Sequence, residues 1–189
     1  MQASEARGGL FFAFCLHYLK GAGRRVIFSP VATFGDFKMA MTMTGEYQLG
    51  ATRDVVWAKL NDAEVLKSCI PGCEDLEKLS DTEFRATAKM KVGPVSARFK
   101  GRVNLSDLDP PNGYKITGEG EGGVAGFAKG GATVRLADSN GGTLLTYNVE
   151  AQIGGKLAQL GQRLINGSAK KMADEFFSNF AEAVQGKQP

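Results

Sequence analysis

From Phe84 to Leu105 apolar and polar side chains alternate almost without a break, and no other feature of this sequence narrows the possible folds as far. Phe84, Ala86, Ala88, Met90 and Val92 alternate with Arg85, Thr87, Lys89 and Lys91, and after Gly93-Pro94 the pattern resumes as Val95, Ala97, Phe99, Gly101, Val103 and Leu105. A period of two is that of a half-buried strand, and two such runs around a Gly-Pro break predict an antiparallel hairpin. Its polar face carries a basic row, Lys89, Lys91, Arg98, Lys100 and Arg102. That row reads either as a solvated face paired to Glu119 and Glu121 on the next strand or as a dock for an acidic partner or membrane lipid.

The same period recurs at Met43, Gly45, Tyr47 and Leu49, and strands are predicted at 114–122, 126–137 and 143–153, with turns at Pro110-Pro111-Asn112-Gly113 and Ser139-Asn140-Gly141-Gly142. Thr52 is the candidate N-cap of a helix ending at Leu60, and a second short helix runs from Asp62 to Lys67, before a turn at Pro71-Gly72. From about Leu157 to Val184 one long helix is predicted, with Leu160, Leu164, Ser168, Met172, Phe176 and Phe180 as its stripe, widened by Ile165, Ala169 and Ala173. The expected architecture is α+β: a curved antiparallel sheet of about seven strands wrapped on a long C-terminal helix, with two short helices after strand one.

Residues 1–38 read differently. They show no sustained period, hold five aromatics between Phe11 and Phe28, and precede three methionines, Met39, Met41 and Met43, that offer alternative starts. They are expected to be upstream sequence or a non-native leader, with the domain proper at 39–186. The apolar run Leu10–Leu19 is about half of what a bilayer-spanning helix needs, and the Lys20-Gly21-Ala22-Gly23-Arg24-Arg25 that follows is no signal cleavage site.

Five of the 23 basic and two of the 20 acidic side chains fall in that segment, which leaves 18 of each in the domain. A chain balanced in this way lacks the field that gathers phosphates, so nucleic acid is excluded as the expected partner. Cys15, Cys69 and Cys73 form no disulfide framework and point to a reducing cytoplasm. The only histidine, His17, lies in the leader, so the domain has no Ser-His-Asp or Cys-His pair, and Cys69 and Cys73 lack the further ligands a metal would need. Gly118-Glu119-Gly120-Glu121-Gly122-Gly123 is glycine-rich but carries two carboxylates and lacks the Gly-Lys-Ser/Thr ending of a phosphate loop.

Those glycines are the informative feature. Tyr114 and Ile116 share their parity with Gly118, Gly120 and Gly122, and the next strand offers Ala128, Gly130 and Ala132. Glycine inside a strand costs about 0.5–1 kcal/mol relative to alanine, so a steric reason is required. Either the sheet bends and the long helix packs close on a flat surface, or a cavity lies between sheet and helix. The cavity would be lined by Tyr47, Phe84, Met90, Phe99, Tyr147, Met172 and Phe176, with the Tyr47 and Tyr147 hydroxyls orienting an apolar ligand.

Val56-Trp57, Cys69-Ile70-Pro71-Gly72-Cys73, Val92-Gly93-Pro94-Val95, Phe99-Lys100-Gly101, Gly118-Glu119-Gly120, Gly126-Phe127-Ala128-Lys129-Gly130 and the run Gly154–Ile165 resemble, in the same order, the motif series of the CoxG family of carbon monoxide dehydrogenase subunits. The resemblance covers about Met43 to Val184. It implies the helix-grip fold of the START-like, polyketide-cyclase (SRPBCC) superfamily. It also implies a non-catalytic accessory protein for a molybdenum-containing carbon monoxide dehydrogenase or related hydroxylase, acting in membrane recruitment and delivery of a bound isoprenoid quinone or other lipid. Some members carry a long C-terminal linker and membrane anchor, whereas this chain stops at Gly186-Lys187-Gln188-Pro189, so stable anchoring is not expected. With the cytoplasm read from the cysteines, the expected location is cytoplasmic, with peripheral contact at the inner face of the membrane. The alternatives are an enzyme of the same superfamily, a cyclase or dehydratase using Glu46, Tyr47, Glu150 or Tyr147 as acid and base, and an assembly factor with no ligand.

Overall fold

A computed structural model describes residues 38–186; the leader expected at 1–38 lies, but for Lys38, outside the described residues. Strand β1 (Lys38–Leu49) leads into two short helices, α1 (Arg53–Leu60) and α2 (Ala63–Cys69). Six strands follow: β2 (Cys73–Lys78), β3 (Glu83–Val92), β4 (Val95–Asp109), β5 (Gly113–Glu121), β6 (Phe127–Ser139) and β7 (Gly142–Gly154). Helix α3 (Gln162–Val184) closes the domain. All strand pairs are antiparallel, in the order β1-β7-β6-β5-β4-β3-β2, so the chain meanders from β2 to β7 and brings β1 to the far edge. The expected seven-stranded α+β architecture is the one observed.

β1 starts earlier than its clean alternation suggested. Met39 pairs with Ile153 and Met41 with Ala151, and Met41 is buried. Ala40, an apolar residue on the outward parity, is what hid the period there. β2 does not stand out as a separate strand in the sequence because Leu76 is its single buried side chain, as suits an edge strand.

The long helix also begins later than its apolar stripe suggested. Ala158–Leu160 form a separate 3-10 turn, and Gly161, with φ +82°, breaks the backbone before α3. Its inward face is centred on Ile165, Phe177, Phe180 and Val184, while Leu164 is exposed. The stripe at every fourth residue fails for a geometric reason. Each step of four advances about 40° beyond a full turn, so Leu164 and Phe180 end up on different sides of the helix.

The buried side chains form two clusters. One gathers Leu49, Val56, Cys69, Tyr114, Leu145 and Phe180 beneath α1, α2 and the end of α3. The other gathers Met41, Val92, Phe99, Ile153, Leu157 and Ile165 near the β3–β4 turn and the start of α3. Arg53 braces the first end by donating to Asn112 Oδ1 at 2.6 Å and Asp138 Oδ2 at 2.9 Å, tying α1 to the β4–β5 turn and the end of β6.

Backbone crowding accounts for some of these glycines and not for others. A Cβ on Gly130 would lie 2.2 Å from the Glu150 carbonyl oxygen and one on Gly101 2.4 Å from that of Glu119, so neighbouring backbones crowd there and the sheet bends. Gly120, paired with Gly101, would meet nothing closer than 3.7 Å. Helix packing on a flat surface is not the cause: α3 makes its extended contacts with α1, α2, β1 and β3, and none of similar extent with β5 or β6.

Candidate functional site

Where α3 stands away from the middle of the sheet, small inward residues leave a cavity of about 570 Å³ between the two core clusters. Its size is that of a small-molecule site. Phe84, Met90, Phe99, Tyr147, Met172 and Phe176 line it as expected, joined by Met41, Met43, Leu157 and Ile165. Ala128, Ala132 and Ala151 supply the low part of the wall. Gly118, Gly120 and Gly130 share the inward parity but contribute nothing to the lining; Gly118 and Gly130 are reached instead from the outer face of the sheet.

Tyr47 is the clear departure. It does not line the cavity. Its hydroxyl donates to Asp174 Oδ1 at 2.6 Å, while Lys170 Nζ donates to Asp174 Oδ2 at 2.7 Å, and its ring stacks on Phe177 with centroids 4.0 Å apart. These groups belong to a smaller groove of about 410 Å³ between β1 and α3. Burial and the adjacent Asp174 carboxylate push the Tyr47 phenol up, and the Lys170 ammonium and the Tyr47 hydroxyl hold Asp174 below the usual carboxylate range. Tyr147 borders both spaces, and burial, aided by Asp174, pushes its phenol up as well.

The sequence reading missed Tyr114 as a lining residue. The signal was present, since Tyr114 opens the same inward parity that runs through Ile116, Gly118 and Gly120. Tyr114 pairs with Val134, which pairs with Tyr147, so the two cavity phenols share one row of the sheet two strands apart. Ser168 adds a third hydroxyl from α3. Among the described residues no carboxylate lines the cavity: Glu46 lies in the groove and Glu150 on the outer face.

On the outer face the basic row is only partly neutralised, and by other partners than Glu119 and Glu121. Register sets Lys100 opposite Glu121 and Arg102 opposite Glu119, but Arg98 grips Glu74 of β2 with its Nη2 at 2.9 Å, and Arg102 lies 3.6 Å from Glu83. Lys89, Lys91 and Lys100 have no ion pair among the described residues. Cys69 is sealed in the core and Cys73 half-buried, and burial pushes both thiols up, away from the reactive thiolate. Among the described residues no cluster of His, Cys, Asp and Glu could hold a metal, and no helix is long and apolar enough to cross a membrane.

Comparison with known proteins places this geometry. The model of the carbon monoxide dehydrogenase CoxG-subunit family matches residues 45–185. No curated protein matches the chain. A crystal structure of a conserved protein from Geobacillus kaustophilus is 32% identical, with a TM-score of 0.73 over 77% of this chain and 96% of that one. An uncharacterised protein from Rhizobium leguminosarum superposes with a TM-score of 0.63 at 14% identity, over 79% of this chain and 97% of that one. The Zhui aromatase/cyclase from Streptomyces sp. R1128 superposes at 0.56 and 10% identity, over 78% and 94%. The last two show the shared fold alone, a curved antiparallel sheet gripping a long C-terminal helix.

Proposed function

Because the chain belongs to the CoxG family of carbon monoxide dehydrogenase subunits, we propose that it is a non-catalytic carrier that holds an apolar ligand, an isoprenoid quinone, between sheet and helix for a molybdenum-containing carbon monoxide dehydrogenase or related hydroxylase. Family and fold support a ligand-binding accessory role. The cavity of about 570 Å³ carries the finer reading, because its walls are almost wholly hydrocarbon and sulfur, relieved by hydroxyls of Tyr114, Tyr147 and Ser168. A flat ring with a hydrocarbon tail and a few acceptor oxygens complements such walls. Burying about 300 Å² of ligand at about 25 cal/mol/Å² supplies roughly 7 kcal/mol gross, of which association entropy removes several. The resulting affinity lets a carrier release its load.

Acid–base catalysis finds less support. It needs an acid and a base within reach of a bound ligand; Glu46, Tyr47 and Glu150 stand outside the cavity, and burial pushes up the phenol of Tyr147, the one named candidate that lines it. Peripheral contact with a membrane is part of the proposal and draws on Lys89, Lys91 and Lys100, three cations without an ion pair among the described residues.

The test is native mass spectrometry with organic extraction of the full chain, expressed in a quinone-containing host and purified without detergent, beside an Ala173→Leu variant. Ala173 lines the cavity from α3, and leucine there would fill part of it. Near-stoichiometric quinone in the parent and at least a tenfold loss in the variant is the expected result. A parent that carries no quinone and takes up none when it is added would overturn the carrier reading in favour of an assembly role.

A further inference from the structure

Among the described residues three hydroxyl-bearing side chains line the cavity, and they are not equivalent. Tyr147 leans toward β1, over Gly45, and faces the groove as well as the cavity. Ser168 sits on a helix, where a serine hydroxyl has backbone carbonyls of the preceding turn within reach. Tyr114 is different. The residue is only 6% exposed, its ring is closed in by the edge-on indole of Trp57 at 5.4 Å, and its hydroxyl has no hydrogen-bond partner among the described residues. The one sealed side-chain polar atom without a partner among those residues is Arg53 Nε, so the Tyr114 oxygen, equally unpartnered, meets open space rather than packed atoms.

A buried hydroxyl left without a partner is costly, and a phenylalanine would fill the same position without that cost. The cavity is the open space that Tyr114 borders. We infer that the Tyr114 hydroxyl is the donor that holds an acceptor oxygen of the bound ligand, so that the cavity selects an apolar body bearing a carbonyl over a hydrocarbon of the same shape. This rests on the carrier reading and adds a specificity-determining residue to it. Burial also pushes the Tyr114 phenol up, which keeps it protonated and a donor throughout the physiological range. The arrangement orients the ligand: its oxygen-bearing end lies against β5 and α1, and its hydrocarbon part extends toward Phe99, Leu157 and Ile165 in the other core cluster.

The experiment compares 2-methyl-1,4-naphthoquinone with 2-methylnaphthalene, near-isosteric except for the two carbonyls, as competitors of an apolar fluorescent dye. The full chain and its Tyr114→Phe and Tyr147→Phe variants are titrated. The parent should prefer the quinone by about tenfold, the size of one net hydrogen bond, and Tyr114→Phe should bring the ratio near unity with hydrocarbon affinity unchanged within twofold. Tyr147→Phe should keep most of the preference. Ligand-free Tyr114→Phe should melt no lower than the parent, whereas a merely structural hydroxyl would lower it. Independently of any variant, the infrared carbonyl stretch of carbon-13-labelled quinone should shift to lower frequency on binding. A preference that survives Tyr114→Phe, an equal loss of both ligands, or an unshifted carbonyl band overturns the role of Tyr114 and leaves the carrier reading standing. Failure of both competitors to bind the parent overturns the carrier reading itself, and this inference with it.

Discussion

The Tyr147 phenol occupies the place a side chain at Gly45 would take. The two residues are paired across β1 and β7, and a Cβ built on Gly45 would lie 2.4 Å from the Tyr147 hydroxyl oxygen and 2.6 Å from the ring carbon that bears it. The missing side chain of one strand therefore sets the rotamer of an aromatic on the next, and with it the boundary between cavity and groove.

Substituting Gly45→Ala forces that ring to move. The colliding atoms are the far end of a side chain rather than backbone, so the fold should survive with a loss of about 1–3 kcal/mol, the usual range for overpacking. Displaced from β1, the phenol has the cavity to turn into. Urea denaturation should show the stability loss and dye titration a weaker apolar site; unchanged dye affinity would show that Tyr147 does not set the boundary.

Gly130 and Gly120 make a matched pair. Both sit on inward positions of the sheet, but a Cβ on Gly130 would meet the Glu150 carbonyl at 2.2 Å, whereas one on Gly120 would meet ordinary contacts from 3.7 Å. Gly130→Ala should cost about 2 kcal/mol or more, because backbone has to shift, and Gly120→Ala should fall within about 0.5 kcal/mol of the parent. Equal urea midpoints for the two variants would remove the crowding explanation for Gly130.

Asp174 links the groove to pH. Its carboxyl is held low first by the Lys170 ammonium and then by the Tyr47 hydroxyl. A carboxylate whose folded pKa is depressed contributes stability above its unfolded value, about 4, and loses it as pH falls through the folded value. An Asp174→Asn variant should therefore melt below the parent at pH 6, and the gap should close as the pH falls past the unfolded value and through the lower folded one. A gap that stays constant across that range would mean that the ionised carboxylate is not its source.

Much of this architecture was legible in the one-dimensional pattern. The alternation from Phe84 to Leu105 specifies the β3–β4 hairpin because a period of two has no helical solution with one clean face. Six of the seven large side chains expected at the cavity do line it, since strand parity and helix phase each decide a face from local geometry. The family was legible too, in motifs spread from Val56 to Ile165.

Parity, however, tells only which face of a strand a side chain takes and not what the opposite layer brings to it. Tyr47 and Tyr114 both point inward by sequence. The phase and placement of α3 set Phe177 and Asp174 against Tyr47 and so capture its ring and hydroxyl in the groove, while Tyr114 is left lining the cavity without a partner among the described residues. The backbone break at Gly161 and the 40° drift of a four-residue stripe are invisible to a pattern of apolar letters. The sequence alone determined that there is a sheet, a helix and too little side chain to fill the space between them; the tertiary packing decided which hydroxyls face that space, because this depends on how α3 lies over strands distant in sequence.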